Sequence, residues 1–135
     1  MTEQRLLKLN LSNTVRNKII MKEYKIDVAG KKLGRVASEI ASILIGKTNP
    51  DFEKNQVADV KVEVTNASKL DIAEKKARDT VYTNYSGFPG GLRTRTLEEV
   101  ATKHGYAEVL RIAIAGMIHH NKLKAQVLKN LIIKE

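Results

Sequence analysis

The chain is 135 residues long, 42% hydrophobic, without cysteine and with a formal net charge of +9, a length that suits one domain able to bury a core unaided. The lack of cysteine excludes disulfides, thiolate nucleophiles and cysteine-ligated zinc, and fits a reducing compartment. The charge is uneven, with six bases and two acids in residues 1–25, the same in 103–135, and six bases against seven acids in 51–81.

A neutral middle between two cationic ends suits a polyanionic partner, because each neutralised phosphate releases counterions. No apolar run approaches the ~20 residues that span a bilayer, and no long segment pairs a basic face with a wide apolar one, so a membrane partner is not expected. Charged and polar residues punctuate Arg5 to Glu23, which leaves no secretory signal pattern.

Residues 1–22 read as a basic, extended N-terminal arm. Leu7, Leu9 and Leu11 alternate, but Asn10, Ser12, Asn13 and Asn17 interrupt any helix. A single α/β domain is expected over residues 23–121. Its first strand runs from Tyr24 to Val28 on period-two patterning and is ended by Ala29-Gly30. Leu33, Val36, Ala37, Ile40, Ala41 and Leu44 form one stripe and predict a helix over Leu33–Ile45, closed by Gly46 in a left-handed cap. Asn49-Pro50 breaks the chain. A second strand follows over Val60–Thr65, where three valines alternate with Lys61 and Glu63. Leu70–Ile72 reads as a brief third strand, Ala73–Asp79 as a charged connector and Thr80–Tyr85 as a fourth strand. Strand, helix and strand imply a right-handed parallel crossover.

The stretch Tyr82–Thr96, YTNYSGFPGGLRTRT, holds three aromatic rings, three glycines, one proline and two arginines, and no acid. Glycine permits positive φ and close backbone approach, while Pro89 pushes Phe88 towards an extended conformation. The result is a compact loop. Backbone amides in such turns form anion-binding concavities, and arginine forks match phosphate oxygens. On the loop alone, a surface hairpin whose rings cover a neighbouring core is the simpler reading; the cationic ends of the chain shift it towards polyphosphate.

Thr96-Leu97-Glu98-Glu99 has capping-box spacing and starts a helix directly after the loop. That helix ends near His104-Gly105, and another runs from about Ala107 to Met117, with Val109, Leu110, Ile112, Ala113, Ile114 and Met117 expected in the core. Residues 122–135 form a C-terminal basic helix and tail. The helix spans Lys122–Asn130 with Leu123, Val127 and Leu128 inward, and Leu131–Ile133 is an apolar tail.

Gly30-Lys31-Lys32-Leu33-Gly34-Arg35 lacks Walker spacing and has too few glycines for a dinucleotide fingerprint. Lys31, Lys32 and Arg35 nevertheless cluster at a helix amino end, where amides and dipole favour phosphate. Spacing alone serves a solvated helix start equally well. His119 and His120 are adjacent, so they do not share a helical face, and no third metal ligand is near them. His104 reads as a helix-end residue. The acids between Asp51 and Asp79 are interleaved with bases and offer no acid–base pair. No active site, cofactor, metal or small-molecule substrate is expected.

Four segments in order, GKKLGRVASEIASILIGK (Gly30 to Lys47), VKVEVTNASK (Val60 to Lys69), YSGFPGGL (Tyr85 to Leu92) and IAIAGMI (Ile112 to Ile118), resemble the L-thirteen family of large-subunit ribosomal proteins. The resemblance implies a three-layer α/β sandwich with a small, mostly parallel four-stranded sheet flanked by helices, plus basic N- and C-terminal extensions. It also implies a structural role in the large subunit, binding large-subunit ribosomal RNA, beside neighbouring ribosomal proteins, and helping assembly. Carried over by position, RNA contacts fall on Lys31, Arg35, Lys47, Tyr82, Tyr85, Ser86, Gly87, Phe88, Gly90 and Gly91. Lys32, Arg93 and Arg95 join them on charge, as do Lys122, Lys124 and Lys129 in the C-terminal part, where His120 reads as structural or RNA-facing.

That C-terminal part departs from the family pattern at Ile118-His119-His120 and at Leu123-Lys124-Ala125. Ala73-Glu74 and Thr80 depart from it before the loop. The expected location is the ribosome of a bacterial cytoplasm, with an organelle ribosome as the alternative. The competing function is a regulatory module binding messenger RNA or a protein outside the ribosome.

Overall fold

The computed structural model describes residues 21–135. The arm expected over 1–22 lies outside the described residues apart from Met21 and Lys22. In chain order the elements are β1 (Lys22–Asp27), α1 (Leu33–Ile45), β2 (Val60–Thr65), a 3-10 turn (Ala67–Lys69), α2 (Glu74–Asp79), β3 (Val81–Tyr85), β4 (Leu92–Thr96), α3 (Leu97–His104), α4 (Tyr106–Met117), α5 (Lys124–Lys129) and β5 (Leu131–Ile133).

β2 is the centre of the main sheet because its valines alternate. Val60, Val62 and Val64 are all buried, while Lys61, Glu63 and Thr65 between them are only partly covered. β1 pairs with β2 in parallel, with Ile26 opposite Val64, and β5 pairs in parallel on the other side, with Leu131 opposite Val62. α1 connects β1 to β2. Its 13 residues carry seven buried side chains, and this apolar stripe packs on β2 and, in turn, under α4. Val109, Leu110 and Ile114 of α4 are fully buried in the same core as Ile40 and Leu44 of α1. α3 lies on α4, and α2 on α3.

α1 stops at Gly46, which has φ of 87° and donates its N–H to the Ile43 carbonyl at 3.0 Å. A side chain there would meet two obstacles. The left-handed conformation disfavours any residue with a Cβ, and that Cβ would lie 2.8 Å from the Cβ of Ala58.

Several expectations need correction. The four-stranded sheet is a three-stranded parallel sheet plus a separate two-stranded antiparallel hairpin. The reason is the turn after Tyr85. It returns the chain at once, so the β3 ladder is satisfied by β4 and does not join the main sheet. The brief strand at Leu70–Ile72 is reduced to a single parallel bridge between Lys32 and Asp71, because the chain turns away into α2. That element, expected as a connector, is a short helix with no buried residue. The tail Leu131–Ile133 supplies the third strand of the sheet.

Among the described residues, one face of the sheet carries Lys25, Lys61, Glu63 and Lys134. Glu63 is shared there by Lys134 and, at 4.0 Å, by Lys25. Its carboxyl is held below the ordinary carboxylate range, chiefly by the hydrogen bond from Lys134. Within α4, Ile112 and Ala113 are only partly covered and Met117 is 41% exposed. Met117 closes the helix, with its sulfur 3.4 Å from the Ser38 hydroxyl.

Candidate nucleic-acid interface

The β3–β4 hairpin stands out from this core. Tyr85, Phe88 and Leu92 are 62%, 73% and 63% exposed, although each is large and apolar. Its register places Tyr82 opposite Arg95 and Asn84 opposite Arg93, so these four side chains share one face. Val81, Tyr85 and Leu92 share the other. Two arginines therefore flank a tyrosine and an asparagine on one side, and an uncharged surface, which also holds Thr83 and Thr94, lies on the reverse.

The tip is a tight turn whose chemistry is written in its residues. Gly91 donates its N–H to the Phe88 carbonyl at 3.0 Å, with Pro89 and Gly90 between them. Pro89 supplies the negative φ of the first central position, and Gly90, at φ of 73°, supplies the positive φ of the second, as in a type II turn. Gly91 is needed for a different reason. A Cβ there would collide with the Ser86 hydroxyl and approach the Phe88 carbonyl to 2.9 Å. The turn thereby folds Ser86 back on Gly91, while Gly87 and Phe88 stay exposed.

The base of the hairpin is fixed by its junction with α3. Thr96 ends β4 and caps the helix. Glu99 N–H donates to the Thr96 hydroxyl at 3.3 Å, and Thr96 N–H donates to the Glu99 carboxylate at 3.2 Å. The expected capping box is present. Tyr82 is half-buried against this base, and burial pushes its phenol above the ordinary tyrosine value. Arg93 and Arg95 are exposed, and neither has a carboxylate partner among the described residues.

The other expected site residues lie elsewhere on the molecule. Lys31, Lys32 and Arg35 stand at the start of α1, all exposed. Lys32 is already engaged, with its ammonium 2.8 Å from the Asp71 carboxylate. Beside them Asp27 accepts from the Asn66 amide at 2.9 Å and from Ala29 N–H at 3.1 Å. These bonds, that from Asn66 first, hold its carboxyl below the usual range, with Lys31 and Lys69 adding to the effect.

Lys47 is at the far end of α1, about 20 Å away at the rise of an α-helix. His120 and Lys122 are exposed in the segment after α4; Lys124 opens α5 with its N–H donated to the Asn121 side chain at 3.0 Å, and Lys129 is exposed at its end. The structure thus brings Tyr82, Arg93 and Arg95 together and does not gather the remaining lysines with them. Sequence reasoning missed Asn84, His104 and Glu108, which share a concavity with the two arginines. Only strand register reveals that grouping.

No group of three or more histidines, acids or cysteines that could hold a metal occurs among the described residues. No helix among them is long and apolar enough to cross a membrane. What the fold defines is a small α/β protein whose most prominent surface element is a cationic, ring-bearing hairpin.

Known proteins resemble this chain in sequence. The family model described as Ribosomal protein L13 matches residues 21–134. The chain is 42% identical over 112 residues to the large ribosomal subunit protein uL13 of Mycoplasmopsis synoviae, covering 83% of this chain and 77% of that one. It is 40% identical over 110 residues to that of Symbiobacterium thermophilum (82% and 76%), and 41% identical over 110 residues to that of Listeria welshimeri (82% and 75%). The chain belongs to the ribosomal protein L13 family. This is a family of ribosomal structural proteins and not of enzymes.

Proposed function

We propose that the protein is a structural constituent of the large ribosomal subunit that binds large-subunit ribosomal RNA and helps to organise it during assembly. The observation that carries this reading is the exposed hairpin, in which Arg93 and Arg95 lack carboxylate partners among the described residues beside Tyr82, Tyr85 and Phe88. Arginine forks and backbone amides position phosphates, and exposed rings stack on accessible bases. Ser86, Gly87, Gly90 and Gly91 shape the tip that approaches the RNA. Lys31, Arg35, Lys47, Lys122, Lys124 and Lys129 contribute charge from other faces, His120 contributes a hydrogen-bonding ring, and the basic segments 1–22 and 122–135 extend the contact. Lys32 contributes least, because Asp71 already neutralises it.

The protein so read works in the ribosome of a bacterial cytoplasm beside neighbouring ribosomal proteins, as its bacterial relatives suggest. The test is the double substitution Arg93→Ala/Arg95→Ala, assayed by titrating refolded large-subunit RNA at several salt concentrations. Affinity should fall, and the salt slope should flatten by roughly one to two, at ~0.7–0.9 per phosphate contact. An unchanged affinity and slope would remove the hairpin from the binding surface.

A further inference from the structure

Between the arginine-bearing face of the hairpin and the helices α3 and α4 lies a half-open concavity of about 240 Å³. Arg93, Arg95 and Asn84 line it from the hairpin, and His104 and Glu108 from the helices. Val100 and Ile112 also line it, the first buried and the second half-covered, alongside the half-buried ring of Tyr82. The lining combines two exposed cations, a buried apolar residue in Val100, and two polar side chains with hydrogen-bonding edges, Asn84 and Glu108.

A groove that follows a duplex backbone would need length and a row of cations. This site is short, enclosed on two sides, and smaller than the several hundred cubic ångströms of a pocket for a drug-sized ligand. Its shape suits something that projects from RNA. Single-stranded and bulged nucleotides do so when their bases are splayed out, to be stacked on protein rings and hydrogen-bonded along their edges. The Thr96–Glu99 capping box ties the hairpin wall to the helical wall, so the site is preformed.

We propose that this concavity receives one extruded nucleotide of the bound RNA, with its phosphate between Arg93 and Arg95 and its base edge facing Asn84 and Glu108. This rests on the reading of the protein as an RNA binder. It adds a division of labour, in which the convex tip at Phe88 touches the RNA surface while the concave side takes a single base out of the stack. Glu108 ionised is an acceptor only, so it selects a base edge that presents N–H groups; Asn84 accepts and donates.

The experiment uses the full chain and refolded large-subunit ribosomal RNA, read by titration and by base-reactivity probing at nucleotide resolution. His104→Trp would fill the concavity from an exposed position at the end of α3, and Asn84→Ala would remove an edge contact. Wild-type protein should protect the base edge of one unpaired nucleotide. His104→Trp should abolish that single protection and weaken binding about tenfold, as expected for one lost base contact, while the salt slope set by the arginines persists. Asn84→Ala should give a smaller loss at the same nucleotide, and it keeps the test decisive if the tryptophan variant misfolds.

If both folded variants bind with wild-type affinity and leave the reactivity pattern unchanged, or if Asn84→Ala alone does so when the tryptophan variant misfolds, the extruded nucleotide is refuted and RNA binding stands. If wild-type protein shows no salt-dependent RNA binding, the broader reading fails and takes this inference with it.

Discussion

The parallel sheet with α1 and α4 and the β3–β4 hairpin are built from the same kinds of residue and use them in opposite ways. In the sheet, Val60, Val62 and Val64 are sealed under α1. In the hairpin, Val81, Tyr85 and Leu92 also alternate on one face and remain more than half exposed. Apolar alternation thus marks a strand in both places, but only packing decides whether it becomes core. One region supplies stability and the other supplies contact surface. Substitutions should separate the two roles.

The largest effect on stability belongs to the core. Ile40→Ala removes a fully buried side chain between β2 and α4 and should destabilise the fold by about 2–5 kcal/mol in chemical denaturation. A loss below 1 kcal/mol would mean that the sheet and α1 are not the stabilising unit. Thr96→Ala acts at the joint between the regions and should cost about 1 kcal/mol through loss of the cap. If the hairpin depends on that joint, amide exchange in β3 and β4 should quicken more than in β2; uniform quickening would contradict the division.

Smaller still is the response to acid at Asp27. Its carboxyl is depressed in the folded state by Asn66 and Ala29, so its contribution is full above the ordinary carboxylate range and is lost as pH falls through the lower folded value. Asp27→Asn should therefore flatten the acid limb of the stability profile, and an unaltered limb would show that the clasp is energetically silent. Phe88→Ala, at the exposed tip, should leave stability within about 0.5 kcal/mol while weakening RNA binding. A destabilisation comparable to that of Ile40→Ala would erase the contrast.

The buried half of the fold was legible in the sequence, because burial imposes a period. The bounds of α1 and β2, the αL cap at Gly46 and the Thr96–Glu99 capping box follow from such patterns. Elements without a buried stripe were not. α2 buries no side chain, β4 reads Leu-Arg-Thr-Arg-Thr and is exposed almost throughout, and β5 is three residues long with only Leu131 buried. Met117 falls on the apolar stripe of α4, but it sits at the end of the helix, where the stripe runs out of partners. At the candidate site the glycine turn and the arginines could be read from composition. Their pairing with Asn84 and Tyr82, and the approach of His104 and Glu108, needed register and tertiary packing.

β5 completes the sheet against β2, yet the hairpin and all four later helices are encoded between them. While a ribosome is still producing the nascent chain, the outer edge of β2 must wait, its amides and carbonyls unpaired, until the segment holding Leu131 to Ile133 emerges. Such distant pairing slows folding and leaves an open edge that invites aggregation. For this polypeptide, closure of the sheet thereby waits on a strand encoded after the whole hairpin.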